Sequence, residues 1–197
     1  MNLLDAADRG NLKELKKLIQ RGIDINETGG SKASSALHFA ADNGHLECVQ
    51  ALIDAKANVY CLNDDDQTPL HWAASGASSE HLECAKALLT AGAFFYTNDT
   101  MDQWPIDIAI LNGQTAMVRH LLQVEIEHFT GRPYGKGKIA HNLQRYLDAA
   151  ETHSFPEITS MICDQISLQE KTVLEKAMKK MVGRKKLPSR PTKTLGK

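Results

Sequence analysis

The sequence predicts an all-α solenoid: four stacked helix-turn-helix repeats followed by a C-terminal helical extension. Three observations predict it. A phrase recurs, since Ser35–Ala57 reads "SALHFAADNGHLECVQALIDAKA" and Thr68–Ala93 reads "TPLHWAASGASSEHLECAKALLTAGA". The recurrence is periodic: Leu37 and Leu70 are 33 residues apart, and weaker copies lie 34 residues before and 36 after. A fixed period of roughly 20–50 residues marks a repeat array. Finally, each copy holds two apolar stretches at helical spacing, both too short to be stable unless stacked on neighbours.

The first copy, about residues 1–34, keeps Ala6-Ala7, Gly10-Asn11-Leu12 and Arg21-Gly22 in register with the later copies. The second (35–67) and third (68–103) pair a small-residue helix with one carrying "HLEC". Ala40, Ala41, Ala73 and Ala74 let adjacent helices approach closely. The three extra residues of the third copy lie in "SGASSE", Ser75–Glu80. The fourth, about 104–129, opens on Trp104-Pro-Ile-Asp107. Pro69 and Pro105 suit the first helical turn, where a missing N–H costs nothing. Gly22 and Gly92 suit a left-handed stop after the second helix. Lys56 stands in that place in the second copy, so its stop should be strained.

Beyond Gln123 the repeat text fades. "TGRPYGKGK" (130–138) reads as a Gly-rich basic linker. A helical extension is expected over 139–183, with Ile139, Leu143, Tyr146, Leu147 and Ala150 on one face. Ser154-Phe-Pro-Glu157 and Ser167-Leu-Gln-Glu170 read as capping boxes that open further helices, bearing Ile158, Ile162 and Ile166, then Leu174, Met178 and Met181. A disordered basic tail is expected over 184–197.

The period, the "TPLH", the Ala-Ala pair, "GHL" and "AGA" together resemble the ankyrin repeat family, over about residues 1–129. The first copy lacks "TPLH" and the fourth replaces it, departures that terminal capping repeats tolerate. The resemblance implies an ankyrin-repeat solenoid with β-turn fingers between the helix pairs. It also implies that His38 and His71 hydrogen-bond backbone in the neighbouring turn, and that Cys48 and Cys84 face the core.

Composition narrows the function classes. Hydrophobic residues make up 42% of the chain, enough for a core. No apolar run approaches the roughly 18 residues of a membrane span, so no membrane insertion is expected. The N-terminus lacks the apolar region of a signal peptide. The four cysteines show no CxxC spacing, which argues against structural zinc and a redox pair and for a reducing, intracellular, cytoplasmic setting. The net charge of −1 hides an asymmetry. Residues 1–129 carry 9 basic and 18 acidic residues, whereas residues 179–197 carry 8 basic and no acidic ones. The tail has three readings: a nuclear-import signal, a contact for an acidic surface, or a solvated end. No nucleic-acid-binding motif accompanies it, and nucleic acid is not expected as a partner.

No cofactor, metal or small-molecule substrate is expected. "GRPYGKGK" lacks the G-x-x-x-x-G-K-[ST] spacing of a phosphate loop and its magnesium-binding hydroxyl. His45 with Cys48 and His81 with Cys84 have the look of metal pairs, but small buried cysteines are ordinary in repeat cores. The function expected is therefore a non-enzymatic protein-binding scaffold or adaptor, with no catalytic residue.

In the ankyrin family the concave surface joins finger tips to exposed positions on the first helix. Carried over, it comprises Lys32, Ser34, Asp42 and Asn43; then Asp64, Asp65, Gln67, Ser75 and the inserted Gly76–Ser79; then Met101, Gln103, Leu111 and Asn112. Tyr60 and Tyr96 stand where the family has Asn, and Trp104 where it has Thr. These aromatics are read either as hot spots or as cover for a neighbouring finger. With Asp64, Asp65, Asp66, Asp99 and Asp102 on the fingers, a partner segment bearing Lys or Arg is expected. Two alternatives stand beside this. In one the basic tail lies across the acidic array and regulates it, or directs localisation, as in a regulatory or host-directed effector protein. In the other the C-terminal helices carry a small hydrolase-like activity using Cys163 with His153 or His141. Oligomeric state is left open.

Overall fold

A computed structural model describes residues 1–130, 132 and 135–184, with side chains as far as residue 171 except at 136 and 170. Eight helices form four antiparallel pairs: α1 (Leu3–Asp8) with α2 (Leu12–Gln20), α3 (Ala36–Asp42) with α4 (Leu46–Asp54), α5 (Pro69–Ser75) with α6 (Ser79–Thr90), and α7 (Pro105–Leu111) with α8 (Thr115–Phe129). The pairs stack in chain order, α1 on α3, α3 on α5 and α5 on α7. Between them a stripe of small and branched residues is fully buried, including Ala6, Ala40, Ala73 and Ala109. Pro69 and Pro105 occupy the first turns of α5 and α7. Gly22, Lys56 and Gly92 all adopt positive φ, at 75°, 69° and 98°, so Lys56 bears the left-handed strain expected of it.

A finger joins each pair to the next. In the first, β1 (Thr28–Gly29) pairs antiparallel with β2 (Ser34–Ser35), Thr28 opposite Ser35 and Gly29 opposite Ser34. The next two close with Asn63 N–H to Gln67 O (3.1 Å) and Asp99 N–H to Gln103 O (3.0 Å). Adjacent fingers are tied by Asp64 N–H to Lys32 O (2.9 Å) and Thr100 N–H to Asp65 O (3.0 Å).

Two histidine columns stitch the repeats. His38 Nε2–H donates to Gln67 O at 2.9 Å and His71 Nε2–H to Gln103 O at 3.2 Å, each onto the following finger. A carbonyl only accepts, so each Nδ1 is the acceptor, and it receives the Ser35 or Thr68 N–H that opens the same helix. His45 and His81 make the reverse tie, donating from Nε2 to Asp8 O (3.0 Å) and Asp42 O (2.7 Å) at the ends of the preceding first helices. Their spacing from Cys48 and Cys84 serves packing, since both thiols are buried.

The extension is two helices, α9 (Gly135–Thr152) and α10 (Pro156–Arg184), packed on α7 and α8. Its buried face contains Ile139, Leu143, Tyr146 and Ala150, with Ile158 and Ile162 from α10. Three expectations are corrected. The linker expected over 130–138 is shorter, because α9 already begins at Gly135. Ser154 caps nothing: it takes a left-handed φ of 59°, and α10 opens at Pro156. Ser167 opens no helix either, because α10 runs through it unbroken; an internal Ser-x-x-Glu without a Gly or Pro leaves the helix free to continue. The tail from residue 185 on, and the side chains of Leu174, Met178 and Met181, lie outside the described residues.

Candidate protein-binding cleft

The first helices and the first finger enclose an open cleft of about 530 Å³, within the size range of ligand-binding pockets. Its floor is aromatic. Phe39 of α3 and Trp72 of α5 meet edge to face, centroids 5.8 Å apart at 88°. Trp72 is held by Nε1–H donating to Gln67 Oε1 at 2.9 Å. Gly29, Gly30, Lys32, Asp42 and Ser75 also line it.

Five of the predicted contact residues meet here: Lys32, Ser34, Asp42, Gln67 and Ser75. Ser34 is corrected from an exposed contact, being only 1% exposed because β2 pairing turns it inward. Its Oγ has no hydrogen-bond partner among the described residues. Lys32 ion-pairs with Asp65 at 2.5 Å across two fingers. That leaves the Asp42 carboxylate as the cleft's acid without an ion-pair partner among the described residues. Its partial burial, and Asp8 nearby, raise its pKa above the usual value, while His81 opposes the shift.

The other predicted contacts lie elsewhere. Asn43 spans from α3 back to Asp8 Oδ1 (3.2 Å). Asp64 and Met101 sit on finger tips, Met101 being 75% exposed. Gln103 gives its carbonyl to His71. Leu111 is half-buried, and Asn112 caps its own helix by donating to Ile108 O at 2.9 Å. Tyr60 and Tyr96 do not line the cleft. They project where α4 and α6 end, and Tyr96 packs on His128 in the last turn of α8. Each stacks on a neighbouring ring and stays about half exposed. Trp104 is half-buried, with the Arg145 guanidinium 4.6 Å over its ring.

Phe39, Trp72 and Ile108 were missed. They share one column of the repeat, directly after His38, His71 and Asp107, and that column's bulk in "LHF" and "LHW" was the signal available.

Chemically the cleft can grip but holds no activated nucleophile among the described residues. Cys61 lies 3.2 Å from Ser35 Oγ and 3.7 Å from His38 Nδ1. Burial pushes the Cys61 thiol up and the His38 imidazole down to about 4. A protonated thiol beside a neutral ring is the reverse of an activated pair. Cys163 is exposed, and His153 instead stacks on Phe155, ring centroids 6.3 Å apart. Among the described residues no cluster of side chains could hold a metal ion, and no helix is long and apolar enough to cross a membrane.

The family model of ankyrin repeats in three copies matches residues 3–99. The α7–α8 pair lies beyond that match and stacks on it as the fourth. The chain is 38% identical over 72 residues to alpha-latrotoxin-Lh1a of Latrodectus hasselti, covering 36% of this chain and 5% of that protein. It is 41% identical over 69 residues to cortactin-binding protein 2 of Rattus norvegicus, covering 34% of this chain and 4% of that one. The chain thus spans only about a twentieth of the length of the curated relatives it matches.

Proposed function

This chain belongs, over residues 3–99, to the ankyrin-repeat family, whose members are general protein–protein interaction modules, and from that premise we propose that it is a non-enzymatic scaffold gripping another polypeptide in the cleft between its first finger and α3–α5. The carrying observation is that the Phe39–Trp72 ring pair and Asp42 line one cleft. An aromatic floor takes the aliphatic stem of a long side chain, and a carboxylate at the rim pairs with its charged head. The segment that fits carries a Lys or Arg. The sequence asymmetry supports this, since the repeat region is strongly acidic and would speed encounter with a basic partner. A reducing intracellular compartment is part of the proposal, supported by four free thiols.

The test uses the full chain as bait, comparing wild type with Asp42→Lys and Ser75→Arg. Both positions are exposed, so both variants should fold. The proposal expects a binding protein captured by wild type to be lost from both variants and retained by Tyr96→Ala. Equal capture by all four would place the interface elsewhere.

A further inference from the structure

The columns that leave the second helices change character along the array. In the first two repeats they are polar: Asp24 and Asn58 in one column, Asn26 at the head of the other. Asn26 Oδ1 there accepts the Asn58 N–H at 2.8 Å, tying the first repeat to the second. At the next junction the same positions are Tyr60 and Phe94, and the tie becomes a ring contact at 4.8 Å. Tyr96 extends it, 5.6 Å from Phe94. The three rings form a continuous shelf, yet they remain 47%, 49% and 42% exposed. Exposed contiguous apolar surface marks an interaction site.

We propose that the chain's own C-terminal segment, residues 185–197, docks on the aromatic shelf of Tyr60, Phe94 and Tyr96. Its route is set by α10, which runs alongside α8 in the same direction. Thr115 Oγ1 faces Glu157 Oε2 at the two helix starts (3.5 Å), and further along Met161 and Gln165 share a crevice with Leu122 and Ile126. Helix α8 ends at Phe129, level with about residue 169 of α10, and α10 continues to Arg184. At ~1.5 Å per residue the overshoot is about 20 Å, on the end of the array where Tyr96 meets His128. The 13 residues that follow can span up to about 45 Å, enough to return to the shelf.

The chemistry matches. The segment "KKLPSRPTKTLGK" holds Lys185, Lys186, Arg190, Lys193 and Lys197 with no acid. Pro188 and Pro191 are three apart, the repeat of a polyproline helix, which aromatic surfaces recognise. Ring faces attract Lys and Arg cations, and the negative ends of α4 and α6 lie at the same end of the array. The finger acids are a poorer acceptor than the sequence suggests. Asp65 is paired with Lys32, and Asp99 is buried, accepting from Met101 N, Gln103 N and Gln67 Nε2.

The test digests the full chain with trypsin and follows cleavage after Lys186 and Lys193. Wild type is compared with Tyr60→Asn/Phe94→Asn, which restores the polar residues of the preceding junction, and with Phe94→Asn alone, both checked for folding by thermal melting. Docking predicts cleavage about fivefold or more faster in the variants, the loss expected for a ring–cation contact, independent of protein concentration. Equal rates overturn the proposal, and protection that grows with concentration overturns it in favour of a second copy's tail. A measurement that leaves the array untouched is the NMR shift of the three rings on Arg190→Ser/Pro191→Ser in the full chain; unmoved rings would also overturn it.

Discussion

The Asp107 carboxylate of α7 meets the Arg145 guanidinium of α9 at 3.1 Å. Asp107 occupies the repeat position of His38 and His71, and its Oδ2 accepts the Trp104 N–H at 2.8 Å just as those rings accept from Ser35 and Thr68. The histidines spend their outer nitrogen on the next finger's carbonyl. The last repeat has no next finger, so a cation from the extension takes that place. Arg145 also lies over Trp104 and, at 5.1 Å, over Tyr146. Beneath it Tyr146 and Asn142 donate to the buried Glu125. The extension thus caps the array chemically as well as by packing.

Replacing Arg145 should therefore loosen the cap. Burial raises the Asp107 pKa, against the pull of the Trp104 N–H and Arg145. Arg145→Met removes the partner of a mostly buried carboxylate and should cost about 2–3 kcal/mol. Arg145→Lys should recover only part, because an ammonium cannot both pair and lie flat on Trp104. Urea titration followed by tryptophan fluorescence measures both.

Acid should weaken the histidine stitching. His38 is fully buried, and burial lowers its pKa from 6.5 to about 4, opposed by its bond to Gln67; His71 shifts the same way. A histidine with a depressed folded pKa binds fewer protons folded than unfolded. Its contribution is intact above 6.5 and lost as pH falls toward 4. At 1.36 kcal/mol per unit the loss for His38 approaches about 3 kcal/mol. Denaturation midpoints between pH 7 and pH 4.5 should fall, and His38→Gln, though less stable at pH 7, should show a flatter slope.

Gly76 and His81 should behave as one unit. A Cβ at Gly76 would come within 1.8 Å of His81 Cδ2, while His81 is pinned by Asp42 O and by Ser78 Oγ at 2.8 Å. Gly76→Ala should cost about 1–3 kcal/mol by overpacking, and His81→Ala about 1 kcal/mol for the lost bond. The double variant should be less destabilised than their sum by more than about 0.5 kcal/mol, as a double-mutant cycle in urea would show.

Lys56→Gly should stabilise the chain. The residue is exposed at φ 69°, and removing its Cβ relieves about 1 kcal/mol of left-handed strain. The thermal midpoint should rise by a few degrees.

Elements written in the repeating text were legible: helix pairs, alanine seams and left-handed stops follow from period and residue type, and the inward histidines from the resemblance to the ankyrin family. Contacts that break the period were not. Trp104 reads either as a hot spot or as cover for a neighbouring finger, because nothing in the text announces that Arg145, in a non-repeating segment, will lie over it. Ser34 reads as a finger contact because a two-residue strand carries too little pattern to show which way it faces. Tyr60 and Tyr96 were legible as departures from the family, yet the contact of Tyr96 with His128 was not. The cleft floor was half legible, since "LHF" and "LHW" announce bulk without saying that it faces open space.

The proposed grip of the cleft over Phe39 and Trp72 on a basic polypeptide segment can be tested head-on. The most direct measurement is selection of a random peptide display library on the immobilised full chain, run in parallel on Asp42→Lys. The account predicts enrichment of peptides carrying Lys or Arg on wild type that disappears on the variant. Recovery of the same peptides from both, or no enrichment of basic residues on either, would contradict it.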